Sequence, residues 1–122
     1  MLIESYSKIN LALKVNSKLK NGMHEIQSLY CLIDLFDEIE INKIKKTNDK
    51  ISFQGPFANL VKNKDNSLHK LLKILRKFNL ISSFYSIKVT KNIPVYGGLG
   101  GGTSNAAFLL KFLLKKKLTI TY

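Results

Sequence analysis

IPVYGGLGGGTSNAAFLL, residues 93–110, decides how the rest of the chain is read. Five of the chain's seven glycines stand here, at positions 97, 98, 100, 101 and 102. Glycine has no Cβ and accepts positive φ, so such a run lets backbone N–H groups point into one concavity. From about Thr103 to Lys116 the apolar spacing predicts a helix, whose first turn brings unpaired N–H groups and roughly half a positive charge. Loop and helix together predict an anion cradle of the kind that holds phosphates. Thr103 and Ser104 add hydroxyls, for a phosphate or for a bound Mg²⁺. A mere corner between strand and helix would not need so many glycines, because each costs conformational entropy to order.

Two common phosphate loops are excluded. A Walker A loop needs Gly-Lys-Ser/Thr, and here Gly102 is followed directly by Thr103. The G-x-G-x-x-G fingerprint fails as well, since no glycine of the run has partners two and five residues on.

Upstream, the pattern is mostly that of strands. Residues 2–15, LIESYSKINLALKV, alternate and are rich in β-formers, as one strand or as two broken near Ser7. Asn21-Gly22 is a hairpin turn signal. MHEIQSLYCLIDLF, 23–36, fits strand or helix by periodicity, and the hairpin signal favours strand. DEIEINKI, 37–44, sets Ile39, Ile41 and Ile44 against Glu38, Glu40 and Lys43. KKTNDK reads as a turn and ISFQG as a short strand. From Asn66 the period changes: Leu68, Leu71, Leu72, Leu75 and Phe78 recur at helical spacing with Lys70, Lys73 and Lys77 opposite, and Asn66 or Ser67 is the N-cap. Residues 82–93 alternate again, with Tyr85, Ile87, Val89 and Lys91 on one face. The order predicts an α+β domain with helices packed on a sheet.

The 122 residues suffice for one domain with a core, and 45% of them are hydrophobic. No apolar run approaches the roughly 20 residues of a membrane span. Cys31 is the single cysteine, which excludes an internal disulfide and a cysteine-based metal cluster. With no basic-then-apolar leader at the start, a cytoplasmic location is expected. The formal net charge is +12, but only Arg76 among 20 basic residues is arginine. Readers of nucleic acid lean on arginine, so the lysines are read as solvated surface. Their positive field favours small polyanions such as nucleotides.

The glycine stretch, from Pro94 through Gly97-Gly98-Leu99-Gly100-Gly101-Gly102-Thr103-Ser104-Asn105-Ala106-Ala107, resembles the phosphate loop of the GHMP kinases. Two further stretches resemble one family within that superfamily, the 4-diphosphocytidyl-2-C-methyl-D-erythritol kinases. Ser7-Lys8-Ile9-Asn10-Leu11 is similar to its "AKINL" strand, and Asn21-Gly22-Met23-His24-Glu25-Ile26-Gln27-Ser28-Leu29 to its "DGYHELQTL" segment. The resemblance implies a GHMP kinase N-terminal, ATP-binding domain over 1–122, like the second domain of ribosomal protein S5 and with a mixed sheet. It implies transfer of the γ-phosphate of ATP, with Mg²⁺, to the 2-hydroxyl of a cytidine diphosphate-linked methylerythritol in the non-mevalonate route to isoprenoids.

By the same resemblance Lys8 is the active-site lysine, Asn10 helps to hold the substrate, and His24 reads the cytosine edge. Met23 stands where the family commonly has a tyrosine that stacks on cytosine. Pro94, Val95, Tyr96, Gly97, Gly98, Leu99, Gly100, Gly101, Gly102, Thr103 and Ser104 would hold the ATP phosphates. Tyr96 stands where a small residue is common. Lys8, Asn10, His24 and the glycine loop are expected to face one cleft. The family's catalytic aspartate lies in a "GADVP"-like segment, and no Gly-Ala-Asp stretch occurs in this sequence. The new apolar stretch Leu118, Ile120, Tyr122 reads as the start of something cut at its C-terminal end, so the chain alone is expected to be inactive. Two alternatives stand beside the enzyme: another GHMP small-molecule kinase, and a non-catalytic binding module for nucleotide or nucleic acid. Neither nucleic acid nor a membrane is expected as a partner.

Overall fold

A computed structural model describes residues 1–62 and 66–115. The elements in chain order are β1 (Leu2–Lys18), β2 (His24–Ile44), β3 (Lys50–Gln54), a short 3₁₀ turn (Ala58–Leu60), α1 (Ser67–Lys77), β4 (Phe84–Thr90) and α2 (Gly101–Leu113). The strands form one mixed sheet in the order β1-β2-β4-β3, antiparallel except for the parallel pair β3–β4.

The expected alternation is what builds the core. Ile39 pairs with Val89 and Ile41 with Ile87 across β2 and β4, so all four point to the same face. Leu68 and Leu72 of α1 and Leu109 of α2 close over them in one buried cluster. The intervening positions stay polar, and Glu40 stands directly opposite Lys88, a favourable cross-strand charge pair.

β1 is a single strand, and the break near Ser7 is a bulge. Register shifts between Tyr6 and Ser7, leaving two residues of β2 without partners on β1. The Ser7 hydroxyl donates to the freed carbonyl of Leu35 at 2.8 Å. Such bulges bend a strand and re-aim the side chains that follow; here the next residue is Lys8. Beyond it β1 and β2 continue as a long hairpin with both faces exposed, closed at Asn21-Gly22, where Gly22 takes a φ of +84°.

Asn66 caps α1 as expected, its Oδ1 accepting from the N–H groups of Leu68 (3.1 Å) and His69 (3.2 Å). Phe78 does not belong to the buried face of that helix: it follows the last helical turn and is exposed. α2 begins at Gly101, two residues earlier than the pattern indicated, and ends at Leu113. Lys116, Lys117 and the stretch to Tyr122 lie outside the described residues. No helix among the described residues is long and apolar enough to cross a membrane.

Candidate functional site

The two helix N-termini differ in one respect that matters. That of α1 is satisfied by Asn66, whereas α2 starts from Gly100, which offers no side-chain cap, and its first turn holds no acidic residue. The first helical N–H groups of α2 therefore have no intrahelical acceptor. They open, with residues 94–100, into a cavity of about 460 Å³. Phe53, Leu60, Val61 and Leu68 give this cavity an apolar wall, and Ser67, Thr103 and Asn105 give it polar groups.

Backbone conformation explains much of the glycine usage. Gly98 and Gly100 have φ of +72° and +70°, the region that side chains avoid. At Gly101 the obstacle is crowding, since a Cβ there would stand 3.0 Å from Ile93 Cγ2 and 3.3 Å from Lys91 Nζ. Tyr96 also has a positive φ, +67°, with its side chain 85% exposed. A small residue is the unstrained choice at that position.

The loop is seated on the free edge of β1. The Lys8 N–H donates to the Leu99 carbonyl at 3.2 Å, and the Ser104 hydroxyl donates to the Tyr6 carbonyl. The Ser104 hydroxyl thus uses its one donor in seating the loop, and Thr103 lines the cavity. Lys8 lies against the loop, its Cε 3.5 Å from where a Cβ of Gly100 would be. Its ammonium donates to Asn10 Oδ1 at 3.2 Å and stands 5.7 Å from the centre of the Tyr30 ring. Lys8, Asn10 and the loop are therefore brought together.

Met23 and His24 are not. β1 and β2 stay paired from Asn10↔Tyr30 out to Lys18↔His24, with register shifts between Asn10 and Ala12 and between Val15 and Lys18. Six residues of β2 at about 3.3 Å each set His24 roughly 20 Å from Asn10. Both Met23 and His24 are exposed at the tip of the hairpin. His24 and the glycine loop, expected in one cleft, thus stand apart in this structure, separated along the length of the hairpin.

Three residues that sequence reasoning passed over form the buried floor beside the loop. Asp37, wholly buried on the core side of β2, accepts from the N–H groups of Asn92 (2.7 Å) and Ile93 (2.8 Å), from Asn105 Nδ2 (2.9 Å) and from the Lys91 ammonium. Lys91 is 3% exposed, and Asn105, equally buried, lines the cavity with an Oδ1 that has no partner. A signal was present. Asp37 interrupts the inward stripe Leu35, Ile39, Ile41, and Lys91 continues the inward stripe Ile87, Val89. Opposite charges on two inward faces of neighbouring strands point to a buried pair.

Among the described residues no group of three or more His, Cys, Asp or Glu could hold a metal ion. Mg²⁺ is commonly carried largely by substrate phosphates with few protein ligands.

The family described as GHMP kinases N terminal domain matches residues 60–120. The 4-diphosphocytidyl-2-C-methyl-D-erythritol kinase of Pelagibacter ubique is 47% identical over 95% of this chain and 41% of its own length. The protein of the same name from Finegoldia magna is 40% identical over 93% of this chain and 40% of its own. A solved 4-(cytidine 5'-diphospho)-2C-methyl-D-erythritol kinase superposes with a TM-score of 0.69 at 25% identity, over 98% of this chain and 42% of that one. A homoserine kinase from Cytophaga hutchinsonii shares the fold, with a TM-score of 0.63 at 15% identity. The chain spans about two fifths of the length of these curated relatives.

Proposed function

Because this chain belongs to the GHMP kinase family, we propose that residues 1–122 form the ATP-binding N-terminal domain of a 4-diphosphocytidyl-2-C-methyl-D-erythritol kinase. The observation that carries the reading is the uncapped N-terminus of α2, which opens through a glycine loop into a cavity of about 460 Å³. In the proposed reaction the 2-hydroxyl oxygen of the substrate forms a bond to the γ-phosphorus. The bond to the bridging oxygen breaks, ADP leaves with its electron pair, and the hydroxyl proton passes to a base.

Phosphoryl transfer is mostly positioning and charge stabilisation, and this chain's residues are assigned to those tasks. The N–H groups of Gly101, Gly102 and Thr103 receive phosphate oxygens, with Pro94 to Gly100 shaping the rim. The Lys8 ammonium, beside the loop, is placed to stabilise charge on the transferred group or to ease ionisation of the hydroxyl. Asn10 holds that lysine's ammonium and the substrate. Met23 and His24 are assigned to the cytidine end by family likeness alone. Mg²⁺, when bound, would neutralise phosphate charge, with the Thr103 hydroxyl as its protein contact. The base is not assigned to these residues, since the sequence contains no Gly-Ala-Asp stretch.

Calorimetric titration tests the cradle. ATP and inorganic tripolyphosphate should compete for one site, and adenosine should bind far more weakly than either. Adenosine binding as tightly as ATP would remove the basis of the reading.

A further inference from the structure

We propose that Asp37 is a positioning residue: its one buried carboxylate clamps both ends of the glycine loop and so holds the cradle in shape. The loop occupies residues 94–100. On its incoming side Asp37 takes the backbone N–H groups of Asn92 and Ile93, at 2.7 and 2.8 Å. On its outgoing side it takes the side-chain amide of Asn105, in the second turn of α2, at 2.9 Å. The Lys91 ammonium completes the set. Asn92 adds a reciprocal tie, its Nδ2 donating to the Phe36 carbonyl at 3.1 Å.

Fold stability does not account for this arrangement. A buried charge is costly, and replacing a buried ion pair by apolar residues is often neutral or stabilising. The neighbouring inward positions of β2 and β4 are in fact Ile39, Ile87 and Val89. What a carboxylate does and an isoleucine cannot is bind two separate segments by directional hydrogen bonds. A glycine loop has much entropy to lose on ordering. Pinning its two ends to the same atom group reduces what a ligand must order. The seating of the loop on β1, through Lys8 N–H and Leu99 carbonyl, then follows from where its ends are held. The inference rests on reading the loop as an anion cradle, and its test separates the two.

The experiment follows amide hydrogen exchange at Lys8, whose N–H donates to the Leu99 carbonyl and reports loop seating, and at Ser104, whose N–H donates to the Gly100 carbonyl and reports the loop's exit into α2, together with tripolyphosphate affinity in the 122-residue chain. The variants are Asn105→Ala, Asp37→Asn, and Asp37→Asn combined with Lys91→Met, which leaves no orphan cation. The control is Arg76→Gln, which severs the remote pair with Asp49. Loss of a hydrogen bond to a charged group predicts exchange about tenfold faster and tripolyphosphate binding about tenfold weaker in Asn105→Ala. The Asp37 variants should show at least as much, and Arg76→Gln should change neither beyond twofold at matched stability. Unchanged exchange in folded Asn105→Ala and double variants overturns the clamp, as does an equal acceleration in Arg76→Gln. Should the unmodified chain fail to bind tripolyphosphate, the cradle reading fails, while exchange still decides the clamp.

Discussion

Replacing Gly102 by alanine separates what the fold needs from what a ligand needs. Gly102 is the second residue of α2, and a Cβ added there would meet only the Ser67 hydroxyl, at 3.8 Å, an ordinary contact. Nothing in the fold asks for glycine at this position. Glycine within a helix costs roughly 0.5–1 kcal/mol relative to alanine, so Gly102→Ala should stabilise the chain by about that much. At about 3–6 °C per kcal/mol for a domain of this size, the thermal midpoint should rise by about 1.5–6 °C. The added methyl, however, stands at the mouth of the cavity, where a phosphate oxygen must come within about 2.9 Å of the backbone nitrogen. Losing a charge-assisted hydrogen bond there, worth about 1.5–3 kcal/mol, should weaken ATP binding at least tenfold. Scanning calorimetry reads the first effect and titration calorimetry with ATP the second. A raised midpoint with unchanged ATP affinity would refute the reasoning, since the bare backbone at Gly102 would then serve neither fold nor ligand.

Two further substitutions test the local physics. Tyr96→Gly relieves a left-handed residue whose side chain is 85% exposed; the strain is worth roughly 1–2 kcal/mol, part of which glycine returns through the unfolded chain. A net gain of up to about 1 kcal/mol should appear as a higher urea midpoint, and a loss would mean that the ring makes contacts that matter. Asn66→Ala removes the acceptor for two N–H groups of α1 and should cost about 1 kcal/mol. An unchanged midpoint would show that the Ser67 hydroxyl, donating to the Gly102 carbonyl at 2.8 Å, holds that end of the helix by itself.

Elements whose apolar period is long and regular were legible in the sequence. Leu68, Leu71, Leu72 and Leu75 announce α1, and the alternation around Ile39, Ile41, Ile87 and Val89 announces the sheet and its inward face. The glycine run announced a loop with positive φ, found at Gly98 and Gly100, because a backbone requirement leaves a trace in one residue type. Less legible was the start of α2, since Gly101 and Gly102 have poor helix propensity and are helical through tertiary contacts. Asp37 was passed over because a charged residue on a strand is ordinarily a solvated one, and only the parity of its position marks it as inward. Placement of His24 depended on how far a hairpin stays extended, which local pattern does not encode.

The seating of the loop on β1 has a consequence for the protein's solution behaviour. β1 is an outer strand of the sheet, and at Tyr6 and Lys8 its outward carbonyl and N–H are occupied by Ser104 and Leu99 of the same chain. Unpaired strand edges recruit strands from other molecules. Without the loop and the start of α2, those two groups would be bared on one edge. The loop therefore also shields this part of the edge, so variants that loosen its seating should self-associate more readily.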